Sequence, residues 1–178
     1  RDLTVTGVQT CALPIWIICG YPWFKLRNEN IPKRFVSSHG IYNILKYPFL
    51  SIEFVKKYLD FFGILNKKNI DKQTLKIIEK NNDYDVLLGL AGVALQSAKK
   101  ELDKKKIFIC ERSSSEIGYQ NILLADEYKI CDRNYKTTNS WFIDNEQKEY
   151  ELADIILTPS NFVKNSFNKN LQDKIKVI

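Results

Sequence analysis

Small and hydroxylated side chains follow three apolar segments of this sequence, at the points where each segment would end as a strand. The groups are Gly89-Leu90-Ala91-Gly92, then Arg112-Ser113-Ser114-Ser115-Glu116, then Pro159-Ser160. Small residues let a ligand approach the backbone, and a helix start rich in hydroxyls can bind sugar hydroxyls or phosphate. These residue types therefore suit the recognition of a sugar or a phosphate.

Each group also has a structural interpretation. Gly89 and Gly92 can serve only a tight turn, and Ser115 and Ser160 are good helix N-caps. Glu116 would lie in the first turn of a helix, where the helix dipole favours a carboxylate. The second group is denser in polar side chains than a cap requires, so a ligand-facing role stays open there.

Short apolar runs alternate with amphipathic stretches along the chain, which predicts strands alternating with helices. The clearest strand is 154–157, because Pro159 stops it and Ser160 caps the helix that follows. The predicted strands are 16–19, 34–38, 85–88, 107–110, 154–157 and 176–178. The predicted helices are 41–65 with a break near Pro48, 71–79 capped by Asp71, 93–102, 117–130, 142–153, and one after Ser160 whose inner face carries Phe162, Val163, Ser166 and Phe167.

Apolar strands joined by helices favour a parallel sheet, and right-handed crossovers place all the strand-to-helix turns along one edge. We therefore predict an α/β fold with a Rossmann-like parallel sheet and helices on both faces. The three polar groups should then meet at the carboxyl edge of the sheet, where such folds bind ligands.

Composition narrows the protein class. The 178 residues are 44% hydrophobic and 12% aromatic, which suits one domain with a real core, and no apolar run reaches the length of a membrane span. The net charge of +6 comes mostly from scattered lysines, which are typical of a solvated face but leave open a surface for anionic lipid or a phosphorylated acceptor. Cys19, Cys110 and Cys131 show no CxxC spacing, and the chain has one histidine, so neither a zinc site nor a disulfide framework is predicted. Cys19 and Cys110 lie in apolar runs and are predicted to be small buried hydrophobes.

The first fifteen residues differ in character from the rest. The string VTGVQTCALPI at positions 5–15 resembles the in-frame translation of a sequencing-library adapter. We treat residues 1–15 as non-native and expect the domain to cover 16–178. The alternative is a strand at positions 3–6 that Gly7 ends.

Two blocks of the sequence resemble the N-terminal domain of glycosyltransferase family 4. ELADIILTPSNFVKNSF at 151–167 is similar to the end of that domain, ELADxIxxPSxFVxxSF. ERSSSEIGYQNILLADEY at 111–128 is similar to its RGSSHIxxQNxILxEEY block. CGYPWFKL from Cys19, followed by Ile31-Pro32, is similar to the family's second strand and the excursion after it. The matching blocks occur in the same order as in the family, and the resemblance covers Trp16 to Ile178.

The resemblance implies one half of a GT-B architecture, in which the N-terminal domain generally holds the acceptor and the C-terminal domain holds the nucleotide-sugar donor. It implies a cytoplasmic hexosyltransferase that transfers a sugar with retention to a glycan or lipid-linked acceptor, with peripheral membrane association as an option. It implies no metal, no cofactor and no nucleic-acid partner. The family's first strand would precede Trp16 and its donor domain would follow Ile178, so the fragment alone is expected to be inactive.

The three polar groups supply the predicted acceptor-lining residues, which are Gly89, Ala91, Gly92, Arg112, Ser113, Ser114, Ser115, Glu116 and Ser160. Glu116 stands where the family usually has a histidine close to the transferring sugar. A carboxylate accepts hydrogen bonds from hydroxyls but cannot donate like a neutral imidazole, so the catalytic residue is left unassigned. His39 belongs to another turn and is not an obvious replacement.

Two other functions fit the same fold class or charge. A dinucleotide-dependent oxidoreductase would need a GxGxxG turn with an acidic residue ~20 positions later, and the readable sequence has no such turn. A non-catalytic basic binding module would need lysines and arginines clustered with exposed aromatic residues, whereas the aromatic residues here have core spacing.

Overall fold

A computed structural model describes residues 17–20, 33–38, 58–102 and 105–178. They belong to two compact units, Arg1–Lys56 and Lys57–Ile178, which are described separately. The predicted helix at 41–65 falls mostly outside the described residues, as do the adapter-like segment and His39.

In the first unit, strand β1 (Ile17–Cys19) pairs in parallel with strand β2 (Val36–Ser38). The turn Lys33–Phe35 is a 3₁₀ helix, so β2 begins two residues later than predicted. Cys19, predicted to be buried, is half-buried. Within its described residues this unit is therefore a two-stranded parallel sheet.

The second unit alternates strands and helices, as predicted. Its strands are β3 (Val86–Leu90), β4 (Ile107–Glu111), β5 (Ile155–Thr158) and β6 (Ile175–Val177). Its helices are α1 (Leu59–Lys80), α2 (Leu95–Leu102), α3 (Ile117–Ile130), α4 (Ser140–Leu152) and α5 (Asn161–Asn165), with a 3₁₀ helix at Lys169–Lys174 before β6.

The four strands form one parallel sheet in the order β3-β4-β5-β6. The register places Gly89 opposite Cys110, Cys110 opposite Ile156, and Ile156 opposite Ile175. This arrangement confirms the predicted α/β class with a Rossmann-like parallel sheet. Because all four strands run the same way, the turns after β3, β4 and β5 lie at the same edge.

The core lies on one face of this sheet. Phe108, Ile156 and Tyr150 are almost fully buried there, and the Tyr150 ring meets Phe167 edge-to-face at 5.0 Å between centroids. Helices were predicted on both faces. Because the four strands are added in one direction, right-handed crossovers bring the helices that join them onto one face instead. On the other face of β3 the apolar side chains are partly open, with Leu90 57% exposed.

Helix α1 continues through Asp71, where a new helix was predicted to begin. Asp71 is buried, and its carboxylate accepts hydrogen bonds from the backbone N–H groups of Gln96 at 2.7 Å and Ser97 at 3.0 Å. The prediction that Asp71 caps a helix at 71–79 is therefore wrong. Asp71 caps α2, because the fold brings that helix's free N–H groups to its side chain.

The turn after β5 follows the prediction closely. Ser160 caps α5 by accepting a hydrogen bond from the Val163 N–H at 3.3 Å. Val163 and Phe167 are buried in the core as expected. Phe162 is 62% exposed, so its assignment to the inner face was wrong. It is adjacent to Val163, and consecutive helical residues point about 100° apart, which turns its side chain away from the sheet.

Candidate functional site

The predicted polar groups meet at the carboxyl edge of the four-stranded sheet, which we call the rim. The Ala91 N–H donates to the Glu111 carbonyl at 2.9 Å, which joins the turn after β3 to the end of β4. The Arg112 N–H donates to the Leu157 carbonyl at 2.9 Å, which joins the loop after β4 to the end of β5. The backbone of each loop is thus tied to the next strand along the edge.

The two glycines of the first group have different roles. Gly89 lies inside β3, and a Cβ there would come within 2.7 Å of the Ala94 Cβ and 3.4 Å of the Phe108 ring, so glycine allows close core packing. Gly92 is buried in the turn with φ of +91°, a conformation that favours glycine. Ala91 is half-buried between them.

The backbone N–H groups at the start of α2 are already occupied by carboxylates of this chain. Gly92 and Ala94 donate to Glu149, with 2.9 Å between the Ala94 nitrogen and the carboxylate, and Gln96 and Ser97 donate to Asp71. A phosphate would have to displace these buried groups. The geometry therefore disfavours a pyrophosphate site at this turn, which a dinucleotide-dependent oxidoreductase would need.

Arg112 is held rigidly in the second group. Its Nε donates to the Ser115 carbonyl at 3.0 Å, one terminal nitrogen donates to Glu146 at 2.8 Å, and the other donates to Gln120 at 2.9 Å. A guanidinium bound on three sides fixes the loop that carries the serines. Arg112 thus acts on the loop itself, and three of its five N–H donors are used within the chain.

Glu116, and not Ser115, caps α3. The Glu116 carboxylate accepts from the Tyr119 N–H at 2.8 Å and from the Gln147 amide at 3.4 Å. The suggested Ser115 cap was wrong because Ser115 lies one residue too early, and its carbonyl instead binds Arg112. Glu116 occupies the family's histidine position in the resemblance, and in this structure it is engaged as a cap.

The serine hydroxyls are the open polar groups of this loop. Ser113 is exposed, Ser114 is half-buried and Ser115 is buried. Their hydroxyls make no hydrogen bond to any other described residue. The loop therefore presents unused donors and acceptors at the rim, beside the segment that Ser160 caps.

The α5 segment supports this loop through Ser166. The Ser166 hydroxyl accepts a hydrogen bond from the Glu116 N–H at 2.8 Å and donates to the Val163 carbonyl at 2.6 Å. The second and third polar groups are thus joined by a side chain that the sequence had placed only in the core. This contact fixes the start of α3 against α5.

Glu146 links the loop to the helical layer, a role that was not predicted from the sequence. It is 2% exposed, and its oxygens lie 3.4 Å from Lys67 Nζ, 2.8 Å from the Arg112 guanidinium and 2.9 Å from the Tyr150 hydroxyl. Two cations and one hydroxyl donor thus surround one buried carboxylate. Burial and this neighbouring carboxylate raise the pKa of Tyr150, so its hydroxyl stays protonated and donates.

Glu149 lies one turn further along α4 and is fully buried. Besides Gly92 and Ala94, the Asn145 amide donates to it at 3.0 Å. Burial raises the pKa of Glu149 from 4.5 to about 7, and the hydrogen bonds from Ala94 and Gly92 together with Lys67 oppose that rise. This carboxyl therefore titrates near neutral pH while it holds the β3–α2 turn.

A sequence signal for these two glutamates does exist. Glu146, Glu149 and Tyr150 have the i, i+3, i+4 spacing that places side chains on one helix face, and Ala153 continues that face. Acidic residues at inward positions of an amphipathic helix indicate buried polar partners. The partners themselves lie far away in the sequence and leave no local signal.

A groove of about 490 Å³ opens beside the rim, between α1 and α4, with the start of α2 as its floor. Gly92 lines it, so the groove and the rim share a residue. Its other lining residues are Lys67, Lys68, Asp71, Lys72, Leu75, Leu95, Gln96, Trp141, Asp144, Asn145 and Lys148. This groove was not predicted from the sequence, because its two walls come from distant segments.

Several site types are missing from the described ranges. There, no helix is long and apolar enough to cross a membrane, and no three His, Cys, Asp or Glu side chains are arranged to hold a metal ion.

Cys19, Cys110 and Cys131 are free thiols, and burial raises the pKa of Cys110, which fits the predicted small buried hydrophobe. Comparisons with family models, curated proteins and solved structures find no match to this chain.

Proposed function

We propose that this chain is the acceptor-side domain of a retaining glycosyltransferase of the GT-B type. The complete enzyme would transfer a sugar from a nucleotide donor to a glycan or a lipid-linked acceptor. Two facts support the proposal: the parallel α/β sheet with its polar turns at one edge, and the resemblance of the 111–128 and 151–167 blocks to family 4. The same fold carries many functions, so the residues of the rim must support the assignment.

The observation that carries the proposal is the state of the loop after β4. Arg112 fixes the loop backbone with three hydrogen bonds, yet the hydroxyls of Ser113 and Ser114 stay unused among the described residues. Rigid backbone with free hydroxyls suits a sugar acceptor, since each hydroxyl both donates and accepts a hydrogen bond. Such a loop can orient an acceptor hydroxyl without supplying a charged group.

The chemistry of transfer would then depend on the donor domain. The oxocarbenium-like transition state would be stabilised by groups around the nucleotide sugar, and this domain would position the attacking hydroxyl. Glu116 is engaged as a helix cap, so we assign it no role as acid or base. The proposal assigns no metal or cofactor to this domain and places the enzyme in the cytoplasm, with peripheral membrane contact where the acceptor is lipid-linked.

Binding of saccharides to the chain, mapped residue by residue, tests this assignment. The ¹⁵N-labelled chain is titrated with a panel of mono- and oligosaccharides, and amide shifts are followed by NMR. We expect the shifts to cluster at 91–92 and 112–116 and to be lost in the double variant S113A/S114A. Asn82 lies just before β3, at the opposite edge, so N82A should leave them unchanged.

Two outcomes would overturn the assignment. One is a rim that responds to no saccharide in the panel but does respond to NADH, which would favour the oxidoreductase. The other is a set of saccharide shifts confined to the opposite edge of the sheet around Asn82.

A further inference from the structure

We propose that the groove between α1 and α4 binds an anionic saccharide, meaning a sugar that carries a phosphate or a carboxylate. The inference gives the acceptor a chemical class, and its acceptor role rests on the proposed function. The binding itself is a property of the groove and can be measured without transfer.

Three lysines that line the groove have no anionic partner among the described residues. Lys68 and Lys72 lie one turn apart on α1, and Lys148 lies on α4. Within the described part of the chain, none of the three makes an ion pair or a hydrogen bond. Lys67 differs, because it is paired with Glu146 and so belongs to the support of the site.

The groove is therefore positive where a ligand would lie. Its lining carboxylates are Asp71 and Asp144, and the Asp71 carboxylate is used by the N–H groups at the start of α2. Lys67 and Asp71 are already bound within the chain. The remaining charged lining residues are three lysines and one aspartate, which carry a net charge of +2. Three lysines lining one groove favour an oxyanion as its ligand.

Trp141 supplies a surface for the sugar ring itself. It is half-buried at the groove, Phe142 meets it edge-on at 5.3 Å between centroids, and Lys68 Nζ lies 5.5 Å from its ring centroid. Aromatic faces are apolar and can pack against the C–H face of a sugar. The side chains of Asp144 and Gln96, both exposed at the groove, can bind the sugar hydroxyls.

The dimensions favour a small ligand over a nucleic acid. A volume of about 490 Å³ falls in the range of small-molecule sites, ~300–1,000 Å³. Single-stranded nucleic acids need a basic track for ~4–16 nucleotides, and Asp144 would repel successive phosphates. One sugar with one oxyanion matches a groove lined by one tryptophan and three lysines without a described anionic partner.

Calorimetric titration of the chain tests the inference. The probes are glucose 6-phosphate, glucuronate, glucose, inorganic phosphate and a dT₁₀ oligonucleotide, each at 50 and 300 mM NaCl. We expect one of the two anionic sugars to bind at least about tenfold more tightly than glucose or phosphate, and more weakly at high salt. The phosphate and carboxylate arms identify which oxyanion the groove prefers.

Variants locate the binding. K72A/K148A should weaken the preferred anionic sugar by about tenfold or more, and W141A should weaken it while inorganic phosphate is unaffected. Lys80 is an exposed lysine on the same helix but outside the groove, so K80A should bind as the unchanged chain does. Circular dichroism confirms that each variant is folded before it is titrated.

Three results would overturn the inference: glucose binding as tightly as the anionic sugars, dT₁₀ binding most tightly, or no probe binding below 10 mM. If the rim still responds to neutral saccharides in the NMR experiment, the proposed function survives that failure. Conversely, anionic sugars in the groove with no transfer by the complete protein would remove the proposed function alone.

Discussion

Glu149 and Gly92 are joined by a buried hydrogen bond across 57 residues of sequence, from the Gly92 N–H to the Glu149 carboxylate. One turn earlier on the same helix, Glu146 binds Arg112 of the loop after β4. Helix α4 therefore holds two neighbouring loops of the rim from behind. Glu146 thus supports the loop with the unused serine hydroxyls, and Glu149 supports the turn that contains Gly92.

The titration of Glu149 predicts how stability depends on pH. Its pKa is raised from 4.5 to about 7 in the fold, so between those values the folded state binds more protons than the unfolded state. Stability must then fall as the pH rises from about 4.5 to 7, by up to about 3 kcal/mol from this group. Urea denaturation at pH 5 and pH 8 measures the change.

The variant E149Q isolates that effect, because glutamine does not titrate. We expect the difference in unfolding free energy between pH 5 and pH 8 to shrink markedly in E149Q. Glu151 is exposed on the same helix, so E151Q should keep the pH dependence of the unchanged chain. Equal pH dependence in E149Q and E151Q would show that Glu149 is not the group responsible.

Asp71 predicts a stability effect on a helix other than its own. D71A removes the acceptor for the N–H groups of Gln96 and Ser97, which should cost about 1–3 kcal/mol in unfolding free energy. D60A is the matched control on the same helix. It removes only an exposed ion pair with Lys136, worth about 0–1 kcal/mol. If D60A is as damaging as D71A, the cross-helix cap is not what stabilises α2.

Removal of Glu146 should be more harmful than removal of either of its partners. E146A leaves the Arg112 guanidinium and the Lys67 ammonium together without their shared buried carboxylate, at a cost of about 3–5 kcal/mol. The double variant R112A/E146A should be less destabilised than the sum of the single variants. Chemical denaturation of all four proteins gives this coupling energy, and additive effects would contradict the network.

Gly92 is expected to tolerate no side chain. Its φ is +91°, and an added Cβ would collide with Lys67 Nζ and come within 3.1 Å of Glu146, so G92A should cost about 1–3 kcal/mol or more. G63A is the control, since Gly63 lies within α1. Alanine there gains up to about 1 kcal/mol of helix propensity, although its Cβ would lie 3.2 Å from the Phe142 ring. Thermal unfolding that ranks G63A below G92A in stability would contradict the strained turn.

The double variant K67A/G92A separates the two causes of that cost. If the collision with Lys67 dominates, truncation of the lysine should restore part of the lost stability. If backbone strain dominates, the double variant should unfold at least as easily as G92A.

Most helices and strands could be predicted from the sequence because the signals that define them are local. The bounds of α3 match the predicted 117–130, and Ser160 caps the helix predicted to follow β5. Hydrophobic spacing and a capping residue act within a few positions. A short window of sequence therefore contains the residues that determine where a helix begins and ends. Parallel pairing followed from the alternation of strands and helices.

The supports of the site could not be found in that way. Asp71 resembles a cap for the residues that follow it, yet the N–H groups it binds are 25 and 26 residues away. Lys67 and Glu146 are 79 residues apart. Such pairs form because the fold brings particular helices together. The spacing of residues in the sequence does not show which of them will be close in space. The basic groove depends on the same packing.

Sugar transfer by the proposed two-domain enzyme tests the proposed function most directly. The protein is incubated with nucleotide sugars and a panel of neutral and anionic glycan acceptors, and the product is examined by ¹H NMR. We predict a new glycosidic bond with the anomeric configuration of the donor, a raised KM for the acceptor in S113A/S114A, and no transfer by residues 1–178 alone. An inverted product, or no transfer from any nucleotide sugar to any acceptor, would contradict the assignment.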